Sequence, residues 1–166
     1  MNHPTYQVLV LCTGNSARSV MTEVALRELS NGQFQTFSAG RKPTGRVNPF
    51  AIQQLANQGF NTDGLRSKSW DEFAVPDAPV MDFILTVCDN AAGEVCPLWL
   101  GHPYTIHWGF SDPAAVEGSD ADKQRAFDEI YQQIYRRIQR LMALPLATLT
   151  KAELAQAMRA IGEQAP

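Results

Sequence analysis

Residues 8–21 read VLVLCTGNSARSVM: an apolar run ends on a thiol, crosses five small or polar residues, and reaches Arg18 at the head of a second apolar pattern. The run at 6–12, YQVLVLC, is short, rich in Val and Leu, and nearly continuous. That predicts a strand covered on both faces of a parallel sheet, since a half-exposed strand would alternate with polar residues. Residues 19–29, SVMTEVALREL, then set Val20, Val24, Leu26 and Leu29 along an inward stripe and predict a helix. Strand, tight loop and helix form the first unit.

Working outward, the alternation repeats. QTFSAG at 35–40 predicts a second strand, and NPFAIQQLANQG at 48–59 a helix with Asn48 as cap, Pro49 in the first position and Gly59 closing it. MDFILTVC at 81–88 and YTIHWGF at 104–110 predict two more strands. A long helix follows over 119–142, where Phe127, Ile130, Ile134, Ile138 and Leu141 recur every three or four residues. TKAE at 150–153 is a capping-box pattern that opens a last helix. The sum is an α/β fold: a four-stranded parallel sheet flanked by helices and joined by right-handed crossovers. GRKPTGRVNP and FAVPDAPVMD, rich in proline and glycine, read as surface loops.

A chain of 166 residues, 45% hydrophobic, fits one domain over 1–166. Fourteen basic against seventeen acidic residues give a net charge of −3, which offers no basic face to nucleic acid or to an anionic membrane. The first residues, MNHPTYQVLVL, lack the basic lead and long apolar core of a secretion signal, and no run approaches the roughly 18 residues of a membrane helix, so a cytoplasmic protein is expected. Three cysteines, Cys12, Cys88 and Cys96, are too few and odd in number for a secreted disulfide framework. His3, His102 and His107 show no metal-ligand spacing, and no metal site is expected.

Cys12 ends a predicted parallel strand, and ligands of open parallel sheets bind beyond such ends. Between Thr13 and Ser19 the chain must turn into a helix, so successive backbone N–H groups make an anion-binding concavity backed by the helix dipole. Gly14 and Ala17 keep the approach open. The helix start and the Arg18 guanidinium both favour thiolate, which predicts a lowered pKa for Cys12 and a role as nucleophile. Arg18 offers a planar fork for two oxygens of a tetrahedral oxyanion. Ser16 and Ser19 can hydrogen-bond the thiolate or the loop.

CTGNSARS at 12–19 resembles the phosphate-binding loop of the low-molecular-weight protein tyrosine phosphatase family, and more closely that of the arsenate reductases sharing its fold. HWGFSDPA at 107–114 resembles the Asp-Pro hallmark in the form the reductases carry. The resemblance spans about 6–141 and leaves 143–166 as a helical extension. It implies a phosphatase-like fold, an oxyanion such as arsenate or phosphate held by residues Thr13, Gly14, Asn15, Ser16, Ala17, Arg18 and Ser19, and Asp112 as general acid. It also implies that the third strand lies beside the first. Cys12 and Cys88 would then leave one sheet edge on strands about 4.8 Å apart, within disulfide reach.

Cys96 follows on the loop DNAAGEV, and the trio resembles the relay of thioredoxin-coupled arsenate reductases. In that scheme Cys12 attacks arsenic, Cys88 attacks the Cys12 sulfur to release arsenite, and Cys96 attacks Cys88 to leave a redox-active disulfide. The implied reductant is external, thioredoxin or glutathione with glutaredoxin. The alternative is a phosphatase that hydrolyses phosphotyrosine or small phosphoesters through a phosphocysteine. Against phosphotyrosine, Asp112 is followed by Pro113, Ala114 and Ala115, without the aromatic residues that such phosphatases commonly place there. Asn15, Glu23 and Ser38 resemble residues that hold a potassium ion in some relatives, although the fourth, acidic position falls at Ser69 or nearby. Asn15 reads better as a brace for the loop.

Overall fold

The computed structural model describes residues 5–88 and 99–166. Four parallel strands lie in the order β2-β1-β3-β4: β1 Tyr6–Cys12, β2 Phe34–Gly40, β3 Phe83–Thr86 and β4 Tyr104–His107. The third strand therefore pairs with the first. Helix α1 is Arg18–Leu29, α2 Pro49–Asn57, α3 Asp120–Met142 and α4 Lys151–Glu163, with short 3₁₀ turns at Trp70–Phe73 and Pro113–Ala115.

β1 is covered on both faces. Val8, Val10 and Cys12 join the larger core, whose helical side chains come from α1 to α4, while Leu9 and Leu11 face a smaller one with Ala39, Trp70, Met81 and Ile84. Each fully buried leucine or valine here contributes about 1.5–3 kcal/mol relative to exposure. Period-two alternation thus puts the thiol of Cys12 on the α1 side.

The helix boundaries follow the local chemistry. The Asn48 side chain accepts from the Phe50 N–H at 2.9 Å with Pro49 behind it, and Gly59, at φ 82°, ends the α2 segment. Ser119 with Asp122 and Thr150 with Glu153 form reciprocal capping boxes at α3 and α4. α1 begins at Arg18, one residue before the predicted start.

The last two strands are shorter than predicted. Beyond Thr86 and His107 single ladder bonds persist, Val87 N–H to Leu11, Trp108 N–H to Thr86 and Phe110 N–H to Val87, but the strands no longer run as continuous ladders. Cys88 therefore lies two residues past the end of β3, and Asp112 five past β4. Among the described residues no helix is long and apolar enough to cross a membrane.

Candidate active site

Above the carboxyl ends of β1 and β3, residues 12–18 with Thr44, Asp112 and Ala114 enclose a cavity of about 270 Å³. The loop is built by giving its carbonyls away. Thr13, Gly14 and Ser16 carbonyls accept from the N–H groups of Lys42, Thr44 and Asn48 at 3.0, 3.0 and 2.9 Å, and the Ser67 hydroxyl also donates to Gly14. In a trans peptide the following N–H points the opposite way, so those of Gly14, Asn15 and Ala17 turn away from the 42–48 segment. A Cβ at Gly40 would overlap the Thr13 carbonyl, which is why β2 ends on glycine against this loop.

Asn15 is fully buried and left-handed, at φ 47°. Its amide donates to the hydroxyls of Ser19 (2.8 Å) and Ser38 (3.0 Å), and its carbonyl accepts from the Lys68 N–H (2.9 Å). One side chain thus ties the loop to α1, β2 and the 66–69 segment. Ala17, the cap residue of α1, gives no side-chain bond to the helix start, leaving the first N–H groups of α1 at the cavity without a competing cap.

Arg18 lies between two segments. Its Nη1 donates to the Phe110 carbonyl at 3.0 Å, and Nη2 lies 3.7 Å from Asp112 Oδ2. Asp112 uses its other oxygen, Oδ1, to cap the Pro113–Ala115 turn at Ala114 N–H (2.9 Å), so one carboxylate both closes a turn and faces the cavity.

Cys12 and Cys88 are both buried thiols, 6% and 2% exposed. Cys88 lies near enough to influence the ionisation of Cys12, and the Thr13 hydroxyl lies 3.8 Å from the Cys88 sulfur. This proximity runs against the expected lowering of the Cys12 pKa. The neighbouring Cys88 thiol pushes the Cys12 thiol up and burial adds to that, while the Arg18 guanidinium and the Thr13 N–H pull down without prevailing. Sequence reasoning had counted Arg18 and the helix start as lowering influences and placed Cys88 only within reach.

A model of the low molecular weight phosphotyrosine protein phosphatase family matches residues 7–156. The chain belongs to that family. An arsenate reductase from Halalkalibacterium halodurans is 34% identical over 131 residues, which span 79% of this chain and 91% of that protein. Among solved structures, an arsenate reductase from Archaeoglobus fulgidus is 26% identical, with a TM-score of 0.60 over 80% of this chain and 98% of that one. The tyrosine phosphatase Wzb from Escherichia coli K30, in complex with sulphate, is 23% identical with a TM-score of 0.62 over 82% and 95% of the two chains. Reductases and phosphatases of the family thus share this backbone, and chemistry must be read from side chains.

Of the expected site residues, Cys12, Thr13, Gly14, Asn15, Ser16, Ala17, Arg18 and Asp112 line the cavity, Ser19 braces it through Asn15, and Cys88 lies near Cys12 outside that lining. Cys96 falls within residues 89–98, outside the described residues. Asn15, Glu23 and Ser38 do meet, yet their arrangement does not fit a potassium ion. The Asn15 amide nitrogen faces Ser38, Ser38 donates to Glu23, Ser69 caps Asp71 N–H, and the Lys68 ammonium is close enough to Glu23 to feel its charge. His107 bonds the Thr86 hydroxyl through Nδ1 at 2.8 Å.

Sequence reasoning missed Thr44 and Ala114 as lining residues and the Phe110 carbonyl as a partner of Arg18. It also assigned GRKPTGRVNP only to the surface, although this segment supplies the donors that shape the loop. Its richness in proline and glycine signals irregular backbone, but not what that backbone will bind.

Proposed function

We propose that this protein is an arsenate reductase in which Cys12 attacks arsenic and Cys88 takes the resulting adduct apart. The observation that carries the reading is the parallel pairing of β1 with β3, which brings the buried Cys12 and Cys88 to the same end of the sheet, supported by the likeness to arsenate reductases over most of the chain. A tetrahedral oxyanion enters with its oxygens against the loop N–H groups and the Arg18 fork. The Cys12 sulfur forms a bond to arsenic(V) as one arsenate oxygen leaves as water, with Asp112 delivering the proton.

Cys88 sulfur then attacks Cys12 sulfur. The S–S bond forms, the S–As bond breaks, and its electron pair stays on arsenic, which leaves as arsenite in the +3 state. Two thiols become one disulfide, the two electrons needed for the reduction. Cys96 next attacks Cys88, freeing Cys12 and moving the disulfide to Cys88–Cys96. An external thiol reductant, thioredoxin or glutathione with glutaredoxin, restores the pair, and the cytoplasm supplies the reducing setting.

A phosphatase needs no second thiol, because water hydrolyses its phosphocysteine.

The test runs the protein with arsenate and NADPH beside an aryl phosphate, with thioredoxin and its reductase in one arm and glutathione, glutathione reductase and glutaredoxin in the other. Arsenate-dependent NADPH oxidation that Cys88→Ser abolishes is expected in one arm. Aryl phosphate hydrolysis unaffected by Cys88→Ser, with no arsenate turnover in either arm, would replace the reductase with the phosphatase.

A further inference from the structure

Arg137 is 3% exposed, in the middle of α3, and among the described residues it has no carboxylate partner. A buried cation is costly, and at a core-facing helix position a hydrocarbon side chain would pack without that cost. What the guanidinium provides is a planar fork. Its Nη1 donates to the Gly109 carbonyl at 2.8 Å, its Nη2 to the carbonyls of Gly162 (3.2 Å) and Gln164 (3.1 Å), and its Cζ lies over the Phe110 ring, 4.7 Å from the ring centre. Arg137 therefore joins the end of α4 to the segment that leads into Asp112.

That segment needs an anchor. It leaves β4, a four-residue edge strand, and among the described residues its last ladder bond is Phe110 N–H to Val87. α4 provides a wall behind it: the Trp108 indole donates to the Met158 carbonyl at 2.9 Å, and Gly162 lies so close to the His107 carbonyl that a Cβ would overlap it. The loop is thus gripped from α3 and α4 two to five residues before Asp112.

We infer that Arg137 is a positioning residue for Asp112, and that α4, which lines no part of the cavity, sets the rate of proton delivery by fixing this loop through Arg137. The inference rests on Asp112 being the general acid of the proposed reaction. A displacement of about 1 Å in such a group can cost roughly a hundredfold in rate.

The test is a cycle of Arg137→Met, Arg137→Lys and Gly162→Ala, each made alone and with Asp112→Asn. Turnover is read at saturating arsenate with the reductant and, separately, on an aryl phosphate, and inorganic phosphate affinity by calorimetry. Arg137→Met should lower turnover at least about tenfold with phosphate affinity within about threefold, Arg137→Lys should fall between it and the parent, and in the Asp112→Asn background each change should cost less than about twofold. Equal losses in both backgrounds, or turnover and phosphate affinity falling together, overturn the inference. Should Arg137→Met not fold, Gly162→Ala and Arg137→Lys carry the same cycle. If the parent acts only on the aryl phosphate, the reductase reading fails while the cycle is still read on that ester.

Discussion

The loop at 12–18 and the loop at 108–112 face each other across one cavity but are held by different parts of the molecule. The first is fixed from close by: its carbonyls are taken by residues 42–48, Asn15 pins it to Ser19, Ser38 and Lys68, and β1 beneath it is paired on both sides. The second hangs from an edge strand and, apart from the Arg18 bond to the Phe110 carbonyl, takes its anchors from helices that follow it in sequence, through Arg137 and Met158. Preorganised donors cost nothing to rearrange when charge arrives, which suits the side that binds an oxyanion. A proton donor must instead meet a leaving oxygen whose position changes along the reaction, and distant anchors let its placement be set apart from the binding site. The comparison predicts that damage to the first loop removes binding and chemistry together, and damage to the second removes chemistry alone.

The sharpest break is Cys12→Ser. Loss of the sulfur should abolish turnover of both arsenate and aryl phosphate to the limit of detection, while inorganic phosphate still binds, because the loop N–H groups and Arg18 remain. Residual turnover in a steady-state assay would mean that another group is the nucleophile.

Next in size is Asp112→Asn. An amide keeps the Oδ1 cap to Ala114 but cannot deliver a proton, so turnover should drop about 10²–10⁴-fold, the usual contribution of a general acid, with phosphate affinity within a few fold. A parallel loss of phosphate affinity would mean that the two loops are not separable, and that Asp112 chiefly orients Arg18.

On the other loop, Asn15→Ala removes a side chain that makes three hydrogen bonds, taking a donor from the buried Ser19 and Ser38 hydroxyls and the acceptor from the Lys68 N–H. It also puts alanine at φ 47°, where asparagine is better tolerated. Stability should fall by about 1–3 kcal/mol, measured by urea unfolding, and phosphate affinity should fall with it. Full phosphate affinity in a folded variant would contradict local preorganisation.

These two loops were not equally legible in the sequence. Everything in the first that depends on short-range spacing could be read: the strand to Cys12, the turn through Gly14, the arginine at the helix start, and even the bracing role of Asn15. Asp112 could be found only through its dipeptide, and its support could not be found at all. Arg137 looks like one more surface charge between Arg136 and Ile138, and only the packing of α3 against the 109–110 segment and the end of α4 buries it. The Cys12 pKa failed for the same reason. Arg18 and the loop N–H groups are neighbours in sequence and were counted, whereas Cys88 is 76 residues away and its proximity to Cys12 depends on how β3 ends.

That proximity gives the smallest and most direct test, a titration of the Cys12 thiol. Alkylation by iodoacetamide, read on the Cys12 peptide by mass spectrometry, follows the thiolate fraction. In the parent the midpoint should lie above the ordinary thiol value of about 8.5, because Cys88 and burial both favour the protonated form. The sign for Cys88→Ala follows: the largest raising influence is removed, Arg18 and the Thr13 N–H stay, and the midpoint must move down, so alkylation at neutral pH becomes faster. A serine at 88 would blur the result, since its hydroxyl could itself donate to the thiolate and lower the midpoint further. If the midpoint stays or rises in Cys88→Ala, burial rather than the second thiol holds the proton. Cys88 would then not be coupled to the nucleophile it is proposed to relieve. A downward shift means that Cys12 is held protonated by the very sulfur proposed to attack it later, so occupation of the first loop by an oxyanion and activation of the thiol are separate events.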